Sequence, residues 1–139
     1  MSIEFEKIIP TQTQIDELLF LIKIRKYSIS HKSTPSKKEH ANFVSKHPYR
    51  VWYLIYKNKN LAGSIYLHKD NSIGIDLIEF NKNDVFFAIK FIKDNHKPLQ
   101  SIKSVRSEEF FINVASKNKQ LIRILKDLDK IEIQRAFFV

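Results

Sequence analysis

The chain contains no cysteine and only two glycines, Gly63 and Gly74. Without cysteine it has no disulfide, no thiolate metal ligand and no cysteine nucleophile. Two isolated glycines cannot build a Walker loop or a G-x-G-x-x-G turn, because each motif needs several positions where the backbone is free or approaches a phosphate closely. The composition therefore excludes P-loop NTPases, kinases and Rossmann dinucleotide-binding proteins.

Signals for a metal site and for a membrane are also lacking. The five histidines are scattered and form no H-E-x-x-H or other compact ligand spacing, so we expect no metal. No apolar run approaches the roughly 20 residues that a membrane-spanning helix needs. The first residues carry acids in place of the basic region of a signal peptide. Together with the absence of cysteine, these features predict a cytoplasmic protein with no membrane span.

The chain is strongly basic, with 24 lysines and arginines against 15 acids and a formal net charge of +9. The lysines are spread along the chain, which is typical of a solvated basic surface. A polyphosphorylated ligand, such as CoA or a nucleotide-sugar, is the functional alternative. Nucleic acid is not expected as a partner, because the sequence lacks the aromatic and basic pattern of an RRM and the turn of a helix-turn-helix.

Length and apolar content, 139 residues and 43%, fit one domain over residues 1–139 with a real core. Apolar periodicity separates the chain into strands and helices. The predicted strands cover residues 3–8, 50–56, 61–67, 73–80, 110–114 and 131–139, and the second to fourth of them should form an antiparallel meander. The predicted helices cover residues 11–27, 36–46, 83–95 and about 121–128. The third helix is apolar nearly all round, so we expect it to be largely buried.

This order of elements resembles the GNAT superfamily of acyl-CoA N-acyltransferases over nearly the whole chain. The resemblance is carried by segment 61–67 with its Gly63, by segment 110–118 with the pattern V-x-x-x-N, and by Arg25, Glu39, His40 and Trp52, which are similar to the arginine and the acid–histidine pair of members that acetylate amino-sugar nucleotides. It implies an α/β (α+β) fold in which about four helices flank a mixed, mostly antiparallel sheet of about six strands.

The resemblance also implies an activity: transfer of an acetyl or other acyl group from acyl-CoA to a primary amine of a small molecule. An amino sugar or a nucleotide-sugar is the favoured acceptor, and acetyl-CoA is the co-substrate. In this fold two strands splay apart, a pantetheine arm pairs with their backbone, and amides at the next helix N-terminus bind the pyrophosphate. The residues expected to contact CoA are Ile78, Phe80, Asn81, Lys82, Asn83, Asp84, Val85 and Asn118.

The phosphate loop departs from the family pattern Q/R-x-x-G-x-G/A, because residues 80–85 contain no glycine. Asn83 can adopt left-handed dihedrals in place of one glycine, whereas the side chain of Val85 should crowd a phosphate. Asp84 should either compete with the phosphate or simply cap the helix. Leu125 stands where many members have a tyrosine general acid. These departures favour the alternative, a non-catalytic relative that binds a ligand or a partner.

Three residues are candidates for the chemistry of the transfer. A carboxylate near the splay can accept the proton of the amine. Asp76 and Glu79 lie an odd number of residues apart on one strand, so at most one should face a given cleft. Glu79, nearer the splay, is favoured, and a solvated or salt-bridged acid is the alternative reading. Asn113, where some family members place a glutamate, could hold a water or an acyl carbonyl.

The resemblance places the acceptor around the loop between the first two helices, where Arg25, Tyr27, Ser28 and His31 lie. Arg25 suits a phosphate or carboxylate on that acceptor. The tail provides one full strand where the family commonly has two. The sheet edge is therefore either open or completed by a second subunit in a homodimer.

Overall fold

The structure is a computed structural model that describes residues 2–27 and 34–139. Within these residues one sheet contains five strands in the order of the chain. They are β1 (Ile3–Lys7), β2 (Val51–Lys57), β3 (Asn60–Leu67), β4 (Ser72–Leu77) and β5 (Phe111–Ile112). The first four pair antiparallel, and β5 pairs parallel to β4. The predicted mixed, mostly antiparallel sheet is confirmed, with one strand fewer than expected.

Four helices accompany this sheet in the described part of the chain: α1 (Gln12–Ile24), α2 (Lys37–Ser45), α3 (Lys82–Asn95) and α4 (Lys119–Asp127). The capping boxes that predict α1 and α2 are both formed, with Thr11 and Ser36 as N-caps. α1 ends at Ile24, earlier than predicted, because Arg25 already has extended dihedrals. None of the described helices is long and apolar enough to cross a bilayer.

The strands bury both faces of the sheet, each against a different pair of helices. On the face of α3 and α4, the core contains Ile65, Leu67, Ile73, Leu77, Val85, Ile92 and Leu121. On the face of α1 and α2 it contains Leu18, Leu21, Val44, Trp52 and Leu54. Full burial of one such side chain contributes about 1.5–3 kcal/mol. Alternate residues of β2 therefore stabilise opposite layers, and side chains of β4 on the α1/α2 face point toward those helices.

Asn71, in the turn before β4, fixes the segment that leads to β5. Its side chain is fully buried. Nδ2 donates to the carbonyls of Leu99 (3.0 Å) and Ser107 (2.7 Å), and Oδ1 accepts from the Leu99 amide (2.7 Å). Its own carbonyl accepts from the Phe111 amide at 3.2 Å. The irregular segment after α3 is thus held so that β5 starts beside β4.

Three predictions about elements are wrong. Residues 131–139 form no strand, and all are exposed, because they pair with no other part of the described chain. α3 is not buried all round: it packs through one face, and Phe86 and Phe87 are 47% and 39% exposed. β4 and β5 are shorter than predicted, because the backbone bends after Leu77 and the two strands diverge.

Candidate active site

The cleft lies where β4 and β5 separate. The two strands pair only through Ser72 with Phe111 and Ile73 with Ile112. Beyond these pairs they enclose part of a cleft of about 720 Å³. Residues 74–81 line one wall and residues 113–115 line the other, while α1 and α2 close the side. The splay that the resemblance implies is therefore present.

The backbone of β4 offers unpaired groups to this gap. The amide of Ile78 donates to the Ala62 carbonyl of β3 at 2.8 Å, and the Ser72 carbonyl accepts from His68 at 2.8 Å. Since backbone direction alternates along a strand, even-numbered residues of β4 bond to β3, whereas Ile75 and Leu77 direct their N–H and C=O groups into the gap. The amide of Ile78, predicted to contact CoA, is thus already committed to β3.

A pair of stacked tyrosines forms part of the wall opposite β5. The rings of Tyr49 and Tyr66 lie 4.1 Å apart at an interplanar angle of 9°. Tyr66 can lie across β4 only because residue 74 is glycine: a Cβ there would lie 2.0 Å from the Tyr66 ring. Burial raises the pKa of both hydroxyls, so they remain neutral donors at physiological pH.

Asp76 lies on the same face of β4 as Gly74, and its carboxyl is half-buried in the cleft. Burial raises the pKa of Asp76 to about 6, and the nearby Arg25 partly opposes that rise. Glu79 also lines the cleft but is exposed. The prediction that at most one of these acids faces a given cleft is wrong, because β4 ends at Leu77 and strand alternation stops before Glu79.

The cleft brings together most of the other candidate residues. Arg25 and Tyr27 line it at the end of α1, and Asn113 lines it from the opposite wall. Within residues 2–27 and 34–139 no salt bridge involves Arg25. Ser28 and His31 lie outside the described residues. A cation and a carboxyl of raised pKa therefore line the same cleft.

Glu39, His40 and Trp52 also lie at this cleft, but His40 has a structural role. Glu39, His40 and Trp52 are all lining residues. His40 is buried, and its Nε2–H donates to the Ile15 carbonyl at 2.8 Å, which ties α2 to α1. With that nitrogen committed, His40 holds the wall in place. Nowhere in the described chain do three or more metal-ligating side chains cluster.

The N-terminus of α3, where the pyrophosphate was expected, is occupied by the chain's own side chains. Asn81 Oδ1 accepts from the Asp84 amide at 2.9 Å, and Asn81 Nδ2 donates to Asp84 Oδ2 at 2.7 Å. Lys57 Nζ lies 3.1 Å from the same oxygen. The helix dipole therefore already has an anion at its positive end, and that anion is neutralised by a lysine.

The structure separates the residues expected to bind CoA. Ile78, Phe80, Asn81 and Asn118 line the cleft, whereas Lys82, Asn83, Asp84 and Val85 do not. Asn83 is in the first turn of α3, so it does not take the left-handed conformation of a glycine. Val85 is fully buried in the core, so the prediction that it crowds a phosphate is wrong. Asn81 is the N-cap of α3, so the prediction that Asp84 caps the helix is wrong: Asp84 lies in the first turn, where its side chain bonds to Asn81 and Lys57.

The start of α4 and its N-cap also line the cleft. Asn118 is the N-cap of α4, and its Oδ1 accepts from the Leu121 amide at 3.1 Å. Gln120 Nε2 donates to the Phe80 carbonyl at 2.9 Å, which links α4 to the segment before α3. Leu125 is half-buried and packs against the core. Its apolar side chain cannot act as a general acid, the role that a tyrosine has at this position in many family members. This bridge by Gln120 has no sequence signal, since glutamines on exposed helix faces are common.

Comparison with known proteins identifies the architecture. No protein-family model and no curated protein sequence matches the chain. A solved domain from Methanocaldococcus jannaschii DSM 2661 aligns with a TM-score of 0.67 and 16% identity, over 97% of this chain and 92% of that one. The aminoglycoside N-acetyltransferase AAC(6')-Iy in complex with a bisubstrate analogue aligns with a TM-score of 0.60 and 10% identity, over 100% and 97%. The chain has the GNAT fold.

A dodecameric spermidine N-acetyltransferase from Vibrio cholerae is similar to the same extent, with a TM-score of 0.62 and 16% identity over 99% of this chain and 85% of that one. The predicted GNAT fold is therefore confirmed. At these identities the likeness establishes the fold, and the activity has to be argued from the cleft itself.

Proposed function

We propose that the chain is an N-acyltransferase that moves an acetyl group from acetyl-CoA, or another acyl group from its thioester, to a primary amine of a small molecule. One observation carries the proposal: the gap between β4 and β5 leads to a half-buried carboxyl, Asp76, whose pKa is raised to about 6. A thioester donor and an amine acceptor can thus meet at a group suited to accept a proton near neutral pH.

The donor side fits the pantetheine arm of CoA better than its pyrophosphate. The free backbone groups of Ile75 and Leu77 can pair with the amides of an extended arm as an added strand would. Asn113 and Asn118 line the same cleft. At the α3 N-terminus Asp84 and Lys57 already form an ion pair, so a phosphate must compete with Asp84 there. The thioester supplies an acyl carbon that is open to attack by an amine.

On the acceptor side, Asp76 is proposed as the general base. An amine that binds as an ammonium ion loses its proton to the ionised carboxylate, and the neutral nitrogen then attacks the acyl carbon. The nitrogen–carbon bond forms and the carbon–sulfur bond breaks; the attacking nitrogen loses a second proton, which the leaving thiolate takes up, and Asp76 releases the first proton to solvent. Glu79 at the exposed rim is proposed to attract the cationic acceptor, and Asn113 to hold the acyl carbonyl or a water.

The acceptor proposed is an amine on a ring or chain that the aromatic wall can contact, with an amino sugar or nucleotide-sugar as the specific guess. Phe43, Tyr49, Trp52 and Tyr66 supply that wall, and the stacked tyrosines keep their hydroxyls as donors. Arg25 could bind a phosphate or carboxylate of the acceptor. Structural neighbours that act on aminoglycosides and on spermidine support an amine of this size.

The test has two parts: a thermal shift with millimolar acetyl-CoA, and thiol release on a panel of an aminoglycoside, spermidine and an amino-sugar nucleotide. A donor that binds the folded state raises the unfolding midpoint. The proposal expects a rise and release of thiol with at least one amine. No rise with acetyl-CoA, together with no thiol release from any amine, would refute it.

A non-catalytic relative is the second candidate, favoured by the capped α3 N-terminus and by Leu125 in place of a tyrosine. In that case acetyl-CoA or an amine raises the unfolding midpoint, but no thiol is released with any acceptor. The same pair of measurements therefore separates the two functions.

A further inference from the structure

The N-terminus of α3 offers few amides to an anion. The first turn of a helix ordinarily carries N–H groups without intrahelical partners, which makes it a site for anions. In α3 the Asp84 amide donates to Asn81 Oδ1 at 2.9 Å, and the Val85 amide donates to the Asn81 carbonyl at 3.1 Å. The amides of Lys82 and Asn83 are left in this turn, and neither residue lines the cleft. A ligand that extends along the cleft to this helix therefore finds two amides of the first turn already taken.

The loop before α3 does not form a phosphate nest either. A nest of convergent amides needs residues in the left-handed region, which glycine adopts most easily. Residues 75–85 contain no glycine, and none of them has a positive φ. Val85 is fully buried in the core, which fixes the first turn of α3 to the sheet. The backbone here cannot close around a pyrophosphate without the rearrangement of a buried turn.

The charges at this helix end also oppose a phosphate. Asp84 is 5% exposed, and its Oδ2 atom accepts from Asn81 Nδ2 at 2.7 Å and lies 3.1 Å from Lys57 Nζ. Its Oδ1 atom is buried and bonds to no group of the described chain. Lys57 is thus neutralised by Asp84, and a phosphate would meet a carboxylate at the positive end of the helix. The exposed Lys82 adds about fivefold in affinity at most.

The part of the cleft that would hold the arm of the donor is free by comparison. The backbone groups of Ile75 and Leu77 face the gap between β4 and β5, where the amides of an extended arm can pair with them. Asn113 lines the opposite wall. A cleft of about 720 Å³ has room for such an arm together with a small amine. The groups that can recognise a donor are therefore concentrated along its arm and scarce at its phosphates.

We propose that this chain recognises its donor by the acyl-pantetheine arm alone, with no specific contribution from the nucleotide of CoA. This rests on the proposed function, because it names the donor class of that reaction. The substrates are then acyl thioesters of pantetheine, whether CoA or a carrier protein supplies the arm. In each case the amine nitrogen bonds to the acyl carbon, the carbon–sulfur bond breaks, and the arm leaves as a thiol that has taken up a proton from the nitrogen.

Binding of the two halves of CoA can be measured separately by calorimetry. The ligands are acetyl-CoA, acetyl-pantetheine, and 3′-phosphoadenosine 5′-diphosphate, which is the nucleotide without the arm. We expect the dissociation constants of the two thioesters to agree within about tenfold and the nucleotide not to bind at millimolar concentration. A nucleotide held by only two charge-assisted hydrogen bonds would separate the thioesters by about 10²-fold or more.

The result that overturns this inference differs from the result that overturns the proposed function. Acetyl-CoA that binds more than about tenfold tighter than acetyl-pantetheine, or a nucleotide that binds alone, refutes recognition by the arm but leaves the acyltransferase standing. If neither thioester binds and neither releases thiol with any amine, both proposals fail.

A variant at the α3 N-terminus provides a second measurement. Asp84→Asn removes the carboxylate that a phosphate would meet, so the preference for acetyl-CoA over acetyl-pantetheine should rise by up to about tenfold. Asp94→Asn, at the other end of the same helix, is the matched control and should leave this preference unchanged. An equal change in both variants, or none in Asp84→Asn, would contradict the role given to Asp84.

The source of the arm follows from kcat/KM with an acyl carrier protein loaded with acetyl-phosphopantetheine. A value above that for acetyl-CoA assigns the arm to a carrier protein, whereas a value below it assigns the arm to CoA. Either result agrees with recognition of the arm, provided that acetyl-pantetheine stays within about tenfold of acetyl-CoA.

Discussion

The two halves of the cleft differ in what their polar groups do in the free protein. On the half proposed to bind the acceptor (the acceptor half), Asp76 has a raised pKa and no salt bridge in the described chain involves Arg25. Next to the half proposed to bind the donor (the donor half), at the N-terminus of α3, Asp84 is bonded to Asn81 and paired with Lys57. The acceptor half thus presents groups that can still act on a ligand, whereas the end proposed for phosphate already has a carboxylate paired with a lysine.

This difference shows that a fold can keep the shape of a site while part of its chemistry changes. The separation of β4 from β5 depends on where their pairing stops. Asn71, which holds the segment before β5, and the bend after Leu77 determine that point. Phosphate binding depends instead on a few amides and charges at one helix end.

Replacement of Asp76 by asparagine should have the largest effect. Asp76→Asn removes the proposed base and should lower kcat/KM by about 10²–10⁴-fold, measured as thiol release at about pH 7.5. Glu79→Gln is the matched control, because it changes a second carboxylate of the same cleft and should cost less than about tenfold. An equal loss in both variants, or a larger one in Glu79→Gln, would transfer the role to Glu79.

Replacement of Asn71 should separate β5 from its support. Asn71→Ala removes three buried hydrogen bonds and leaves two carbonyls and an amide of the neighbouring loop unpaired, so the free energy of unfolding should fall by about 3 kcal/mol. Urea denaturation measures this free energy. Asn60→Ala, which removes one exposed hydrogen bond, should change the free energy of unfolding by less than about 0.5 kcal/mol. Similar values for both would show that Asn71 does not hold the segment.

The raised pKa of Asp76 should also make the free energy of unfolding depend on pH. The ordinary pKa is 3.8 and the folded-state pKa is about 6, so the folded state binds more protons than the unfolded state between these values. The stabilising contribution is complete below about pH 4 and is lost as the pH rises through about 6. Relative to Asp76→Asn, the wild type should lose up to about 3 kcal/mol across that window. Parallel pH curves for the two proteins would contradict the assignment.

The smallest predicted effect concerns the donor half. Asp84→Asn removes the negative charge at the α3 N-terminus, so acetyl-CoA should bind more tightly by up to about tenfold, measured by calorimetry. Asp94→Asn changes an acid near the other end of the same helix, where Lys90 pairs with it, and should leave the affinity unchanged. Weaker binding by Asp84→Asn would mean that the bond between Asp84 and the Asn81 cap shapes the phosphate site.

Much of the fold could be predicted from the sequence because its signals are local. Apolar periodicity and the capping boxes at Thr11 and Ser36 locate the helices, and β-branched and aromatic runs locate the meander. The tail was predicted as a strand from its alternation, but a strand needs a neighbouring strand to pair with, and periodicity does not show whether one is available.

The site was harder to predict, because its residues are far apart in sequence. The stacking of Tyr49 on Tyr66 and the pairing of Lys57 with Asp84 depend on tertiary placement. The prediction that at most one of Asp76 and Glu79 faces the cleft was wrong, because it assumed that β4 continues to Phe80, whereas β4 ends at Leu77. One signal was available: a glycine inside an apolar strand, Gly74, often marks a close approach of another group, which here is the ring of Tyr66.

The role of Asp76 as general base can be tested by the pH profile of kcat/KM for acetyl transfer to an acceptor whose amines titrate well above the pH range measured. We expect kcat/KM to rise with pH up to an apparent pKa of about 6 and then to level off, because the carboxylate form of Asp76 accepts the proton. In Asp76→Asn the residual rate should show no such step. A wild-type profile without that inflection, or the same inflection in Asp76→Asn, would contradict it.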